Sequence, residues 1–331
     1  MIVGQALAAW FADREGQART AARIEEVGRR LRSLPPLAAL ERLADSANGL
    51  DAEPLLAAAR TFLRSHELVE DCLDLMIGAA LDDPFFRPPM RTSLSDIQAG
   101  LLLVDRPSLS VYLSIASATG IAEKRLDRNG PASIAFTGRR SVYRFLRAGE
   151  AILSLWEAPD IESGFSAETS GTCRLIERRA VSDGDLLELD GRRHGFVIEY
   201  ARSDIVYLQA STPAGSAPLT VEYDSRTLRF AGASSSDELS SRTQLMLSLL
   251  RALDRRDSAP LFREMLEGPN FFDRWHAMRE FLALDAEQAL PCLRAMADGD
   301  PHPEVREAAR STLRLFFDDS EAAREAVQCP A

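Results

Sequence analysis

A triplet near the C-terminus recurs at a fixed step. Ala252-Leu253-Asp254, followed by Pro260, Arg263 and Met265, is matched by Ala283-Leu284-Asp285, followed by Pro291, Arg294 and Met296, each pair 31 positions apart. A further step carries Ala277, Arg279, Leu282 and Leu284 onto Ala308, Arg310, Leu313 and Leu315. A period of this length marks stacked supersecondary units, none of which can bury its apolar face alone. Stacks of this kind usually present surfaces to other macromolecules. No complete catalytic signature accompanies the repeat: the chain has no Gly-rich phosphate loop, nucleophile elbow or metalloprotease helix.

Upstream, residues 1–82 are rich in Ala, Leu, Arg and Glu, all good helix formers. One helix is predicted from Ile2 to Leu34, stopped by Pro35-Pro36, and a second from Pro36 to Ser46, closed by Asn48-Gly49. A third is capped by Asp51, and a fourth covers Glu67 to Leu81. The prolines and phenylalanines of residues 82–89 read as an extended connector whose aromatic rings dock on a neighbour.

From Ala99 onward, short apolar segments alternate with turns. Strands are predicted at Ala99–Val104, Leu109–Ala116, Ala132–Phe136, Ser141–Leu146, Ala151–Trp156 and Cys173–Arg179. More follow at Leu186–Leu189, Gly195–Tyr200, Ile205–Ser211, Leu219–Tyr223 and Thr227–Ala231. Turns such as Asn129-Gly130-Pro131, Asp183-Gly184 and Asp190-Gly191 punctuate them, the pattern of an antiparallel barrel or sandwich. Ser163–Gly171 reads as a polar loop and Ala233–Asp237 as a small-residue linker. Helices are then predicted at Glu238–Asp254, which Asp237 caps, and at Ala259–Glu267, Phe272–Ala283, Ala286–Asp298, Pro303–Phe317 and Ser320–Val327. The fold class is therefore α+β and multidomain. N-terminal helices and a Pro-rich connector fill 1–95, an antiparallel β domain 96–232, and helical repeats 237–329.

Two passages of the β domain resemble cupins. Gly184-Asp185-Leu186-Leu187-Glu188-Leu189-Asp190-Gly191-Arg192-Arg193-His194 is similar to the second cupin motif, and Val142–Ala151 is similar to the strand and turn that end the first. The resemblance implies a small β-barrel over residues 96–231. Metal-binding cupins draw a His-x-His pair and an acid from the first motif, yet residues 132–141 hold neither histidine nor acid, and only His194 matches a ligand position. One imidazole does not hold a catalytic divalent ion, so no metal or other cofactor is expected. Arg139, Arg140, Arg192, Arg193 and His194 are instead candidates for binding a small acidic ligand at the barrel mouth through forked hydrogen bonds. The alternative is that they are charged turn residues in solvent.

Asp300-Pro301-His302-Pro303-Glu304-Val305-Arg306-Glu307-Ala308-Ala309-Arg310 resembles the second helix of short bacterial HEAT-type repeats, and Arg274-Trp275-His276-Ala277-Met278-Arg279 occupies the same place one unit earlier. Asp273, Arg274, His276 and Arg279 are candidates for a partner-binding face, or for an internal Asp/Arg ladder between units.

A net charge of −11 argues against generic nucleic-acid binding, which needs a basic face. The four cysteines form no CxxC pair, no apolar run is long enough to span a membrane, and the N-terminus lacks the basic start of a signal peptide. A cytoplasmic protein without membrane or nucleic-acid partners is expected. The functional expectation is a non-catalytic binding or scaffold protein for a protein or peptide partner, acting through the metal-free barrel and the repeats. An organic-acid sensor and an atypical cupin enzyme, dioxygenase or isomerase, are the alternatives. The N-terminal helices and a barrel edge are compatible with a homodimer.

Overall fold

The computed structural model describes residues 2–47, 51–126, 133–161 and 165–318. The Asn48-Gly49 cap, the Asn129-Gly130-Pro131 turn, residues 163–164 of the polar loop, the Ser320–Val327 helix and Cys329 lie outside the described residues. The chain divides into two compact units. One comprises Met1–Asp160, Gly171–Ala217 and Val221–Gly232, the other Ile161–Ser170, Pro218–Thr220 and Ala233–Ala331.

In the first unit, the single helix expected over residues 2–34 is two. Asp13 accepts the N–H of Gly16 at 2.8 Å, which ends α1 (Ile2–Ala12) and caps α2 (Arg14–Arg32). A Cβ at Gly16 would lie 2.4 Å from that carboxylate, so a larger residue there would require the Asp13 side chain to shift. α3 (Pro35–Ser46) starts on the two prolines, α4 (Ala52–Leu63) is capped by Asp51, and α5 (His66–Asp82) follows. The connector's rings do dock: Phe85 stacks on Trp10 with centroids 4.8 Å apart.

The strands are β1 (Thr92–Leu94), β2 (Gln98–Arg106) and β3 (Leu109–Ala116) and, after the short α6 (Ala118–Leu126), β4 (Ser133–Phe136), β5 (Arg140–Arg147) and β6 (Ile152–Glu157). β7 (Arg174–Ala180), β8 (Leu186–Asp190), β9 (His194–Tyr200), β10 (Ile205–Thr212), β11 (Leu219–Asp224) and β12 (Phe230–Ser235) complete them. One sheet runs β1-β2-β3-β10-β5-β8, a second β7-β6-β9, a third β12-β11-β4. β4 lies beside β9 so closely that a Cβ on Gly195 would sit 2.5 Å from the carbonyl oxygen of Ala135. Renumbering β3–β10 as one to eight, the two facing layers read 1-8-3-6 and 2-7-4-5. That order is a jelly roll, the cupin-like barrel that the sequence motifs imply.

Strand alternation gives the main sheet two apolar faces. One carries Val104, Val111, Leu113, Val142 and Leu208, which share a core with Leu31, Leu56, Phe62 and Met76 of the N-terminal helices. The N-terminal helices thus pack on this face as one layer of the first unit. Arg144 reaches from β5 to donate to the Leu63 carbonyl at the end of α4. The other face looks into the barrel. There Tyr143, Phe145 and Tyr207 meet Leu153, Phe196 and Ile198 from the opposite layer, with Tyr143 and Phe196 edge to face at 5.1 Å. These side chains form a cluster across the barrel interior, with Phe196 and Ile198 partly buried.

The second unit contains α7 (Glu238–Ala252), a 3₁₀ turn at Arg256–Ser258, α8 (Ala259–Met265), α9 (Phe271–Leu284), α10 (Ala286–Gly299) and α11 (Pro303–Leu313), which ends in a π turn over Arg314–Asp318. Asp237 caps α7 by accepting from Ser240 N at 3.0 Å, and Asp285 caps α10 by accepting from Gln288 N at 3.0 Å. The expected linker Ala233–Asp237 is mostly strand: Ala233–Ser235 belong to β12. His302 is not within a helix. It is the residue before α11, buried, with its ring flat on Phe271 at 3.8 Å.

The repeat is also corrected at its last step. A shift of 31 aligns Ala277 with Ala308, but the buried alanines are Ala277 and Ala309. The backbone contacts agree. Arg274 Nη1 donates to the carbonyls of Gly268 and Pro269, each at 3.0 Å, and Arg306 Nη1 donates to those of Asp300 and Pro301 at 2.6 and 3.1 Å. α9 and α11 are therefore offset by one extra residue, which enters where α10 hands over to α11.

Candidate functional site

At the barrel mouth the candidate cations are already engaged. Arg192 grips Asp190 through Nε at 2.9 Å and Nη2 at 2.6 Å, and this holds the Asp190 carboxyl below the usual carboxylate range. Arg193 pairs with Glu157 at 3.3 Å and Asp160 at 3.1 Å, and Arg140 with Glu53 at 3.1 Å. Arg139 pins the turn, its carbonyl accepting from Gly191 N at 2.8 Å. His194 lies on the same strand face as Phe196 and Ile198, with Nε2 3.8 Å from Glu157. Glu157 also takes Arg174. This donor set does not fit the metal that cupins commonly carry: one histidine faces one carboxylate that two arginines occupy. Among the described residues, no three His, Cys, Asp or Glu side chains are grouped to hold an ion.

A different site lies wholly within the second unit. A cleft of about 530 Å³ opens between the end of β12, α7, α9 and α11. The period of α9 explains its wall. Phe272, Trp275, His276 and Arg279 fall at steps of three and four on one stripe and line the cleft, whereas Arg274, Ala277, Met278 and Phe281 fall on the opposite side and are buried. Ser241 and Gln244 of α7, Val305 and Ala308 of α11, and Ala233–Ser235 of β12 complete the lining. The size suits a small ligand or a short peptide.

The four residues proposed from sequence as a partner-binding face have three roles. Asp273 ties α7 to α9, accepting from Gln244 Nε2 at 2.7 Å, Asn270 Nδ2 at 3.1 Å and the Ser240 hydroxyl. Arg274 faces away from the cleft and forms a two-pronged pair with Asp300 at 2.8 and 2.7 Å. Burial raises the Asp300 carboxyl, but the Arg274 hydrogen bonds, the His302 N–H and the charge of Arg274 together outweigh it, leaving Asp300 below the usual carboxylate range. This pair ties α9 to the segment before α11. His276 stands in the cleft wall with Nε2 3.1 Å from the Gln244 carbonyl, which can only accept, so Nε2 carries the proton. Arg279 is exposed, lines the cleft and forms no hydrogen bond or ion pair with the described residues.

Trp275, read from sequence as a core residue, is half-buried: it packs against the core of α9, α10 and α11 and also lines the cleft, a second role that sequence reading missed along with the β12 end. The signal for Trp275 was its place on the stripe with Phe272 and Arg279. For Ser234-Ser235 there was none, because the segment lacks the apolar alternation of a strand. A larger groove of about 890 Å³ runs between α2 and α5, but Arg23 in it is paired with Asp82 at 3.0 Å and no aromatic ring among the described residues lines it.

No protein-family model matches the chain, and no curated protein sequence matches it. Among solved structures the chain is similar to ectoine synthase from P. lautus, at 12% identity and TM-score 0.23 over 37% of this chain and 68% of that one. It is similar to an RmlC-like cupin from Shewanella frigidimarina, at 6% identity and TM-score 0.23 over 38% of this chain and 85% of that one. It is also similar to a Klebsiella pneumoniae protein with a double-stranded β-helix domain, at 8% identity and TM-score 0.23 over 39% of this chain and 86% of that one. The jelly-roll assignment rests on the strand order itself, and no function is taken from these likenesses.

Proposed function

We propose that the chain is a binding protein that grips a protein or peptide partner, with the cleft of the second unit as the gripping site. The observation that carries this reading is Arg279: a guanidinium without a partner among the described residues, beside Trp275 and Phe272, in a cleft of about 530 Å³. Aromatic and arginine side chains are the groups that dominate interface energetics. The reading treats the second unit as a short HEAT-like array, and the matching carbonyl clamps of Arg274 and Arg306 support that likeness. The barrel then serves as a rigid, metal-free body. The acid-sensor reading has less support, because Arg140, Arg192 and Arg193 are each neutralised by a carboxylate.

The test is quantitative capture from the native host with wild-type and Arg279→Glu protein side by side. A partner recovered in stoichiometric amount by wild type and lost with Arg279→Glu supports the reading. Identical recovery by both, or none by wild type, removes it.

A further inference from the structure

Resting on that reading, we infer that the partner enters the cleft as an extended peptide, adding a strand to the outer edge of β12 along Ala233–Ser235, beyond the bridge that Thr172 makes with Arg229 and where no described strand pairs. One large apolar side chain lies against Trp275, and an acidic group meets Arg279. Two observations combine here. β12 is the outermost strand of its sheet, ordered β12-β11-β4. An outer strand presents the backbone N–H and C=O of alternate residues away from its neighbour, a template for another strand. Ala233 and Ser234 are exposed, and with Ser235 they line the same cleft as the aromatic stripe of α9. Backbone pairing supplies affinity without sequence preference, and the side-chain contacts supply choice.

The choice is electrostatic as well as apolar. Arg279 is the one cleft cation without a partner among the described residues, on a chain of net charge −11. An acidic peptide is repelled by the general field of such a surface and attracted at this place. The lone acid of the lining among the described residues, Glu304, already accepts the Ala167 N–H at 2.7 Å, which holds its carboxylate on that contact. Phe271, also in the wall, is held flat by the His302 ring, so the aromatic surface is preformed.

The experiment is fluorescence anisotropy of the full chain against blocked synthetic hexapeptides, each with one Phe and one Glu at every relative spacing. Binding is expected for a subset of spacings. Trp275→Ala should weaken it by about tenfold and Arg279→Glu by more, the range of interface anchors. The charge-reversed protein should prefer the Lys versions of the same peptides. N-methylation of the best peptide should abolish binding at alternate backbone positions and be tolerated between them. Tolerance at every position, or equal affinity for phenylacetate, overturns strand addition. Failure of all peptides while a host partner is still lost with Arg279→Glu overturns this inference and leaves the binding-protein reading standing. Loss of neither overturns both. Unfolding curves matched to wild type show that the variants are folded.

Discussion

The barrel and the helical unit treat the same residue types in opposite ways. Both were expected to bind, and both carry arginines near aromatic side chains. In the barrel, Arg140, Arg192 and Arg193 are paired with carboxylates, and Tyr143, Phe145, Tyr207 and Phe196 cluster in the interior. In the helical unit, Arg274 is buried in a pair while Arg279, five residues on, has no partner among the described residues, and Trp275 stands at the cleft wall. Two sheets packed face to face bring every inward side chain to a common middle layer, which aromatics close. Helices converging on a strand end meet along lines, and the space between lines stays open.

Truncating the barrel interior gives the first way to break this contrast. Phe145→Ala should cost about 3–5 kcal/mol of unfolding free energy, as for a packed core, measured by denaturant unfolding, and should leave peptide binding unchanged. A cost near zero would mean that the interior is a ligand cavity.

Of similar size is Arg274→Ala, which strands the Asp300 carboxylate in the interior and should cost about 3–5 kcal/mol. Replacing Asp300 with leucine in the same protein should recover part of that loss. If the single variant is as stable as wild type, the clamp is not what holds α9 to the segment before α11.

The same pair sets an acid limit. The Asp300 carboxyl titrates lower in the folded chain than in the unfolded one. Its contribution is therefore complete above the unfolded value of about 3.9 and is lost as pH falls through the folded value. Wild type should lose helical-unit stability in that acid window, and a protein with both Arg274 and Asp300 replaced by apolar residues should lose less. Parallel acid curves for the two would remove the assignment.

The smallest effect belongs to the barrel mouth. Arg192 is partly exposed, and Arg192→Ala should change stability by about 0–1 kcal/mol. A thermal-shift screen of organic acids should give the same result for that variant and wild type. An acid that stabilises wild type alone would move the functional site back to the barrel.

Much of this was legible from local pattern. The jelly-roll strands could be read from alternation and turn residues, and the Asp51 and Asp237 caps from residue type and spacing, because each depends on neighbours a few positions away. The break at Asp13 was missed because α1 and α2 are both good helix formers and only the side-chain cap to Gly16 separates them. The one-residue slip between α9 and α11 was hidden because a small residue stands at both 308 and 309.

The sequence alone determined that the chain would alternate helices, short antiparallel strands and helices again, since hydrophobic period and turn chemistry are local properties. Only the tertiary structure decided which charges would be spent. Whether Arg192 finds Asp190, Arg274 finds Asp300, or Arg279 finds nothing among the described residues depends on what the folded backbone brings within about 3 Å, hydrogen-bond range, and spacing along the chain does not carry that distance.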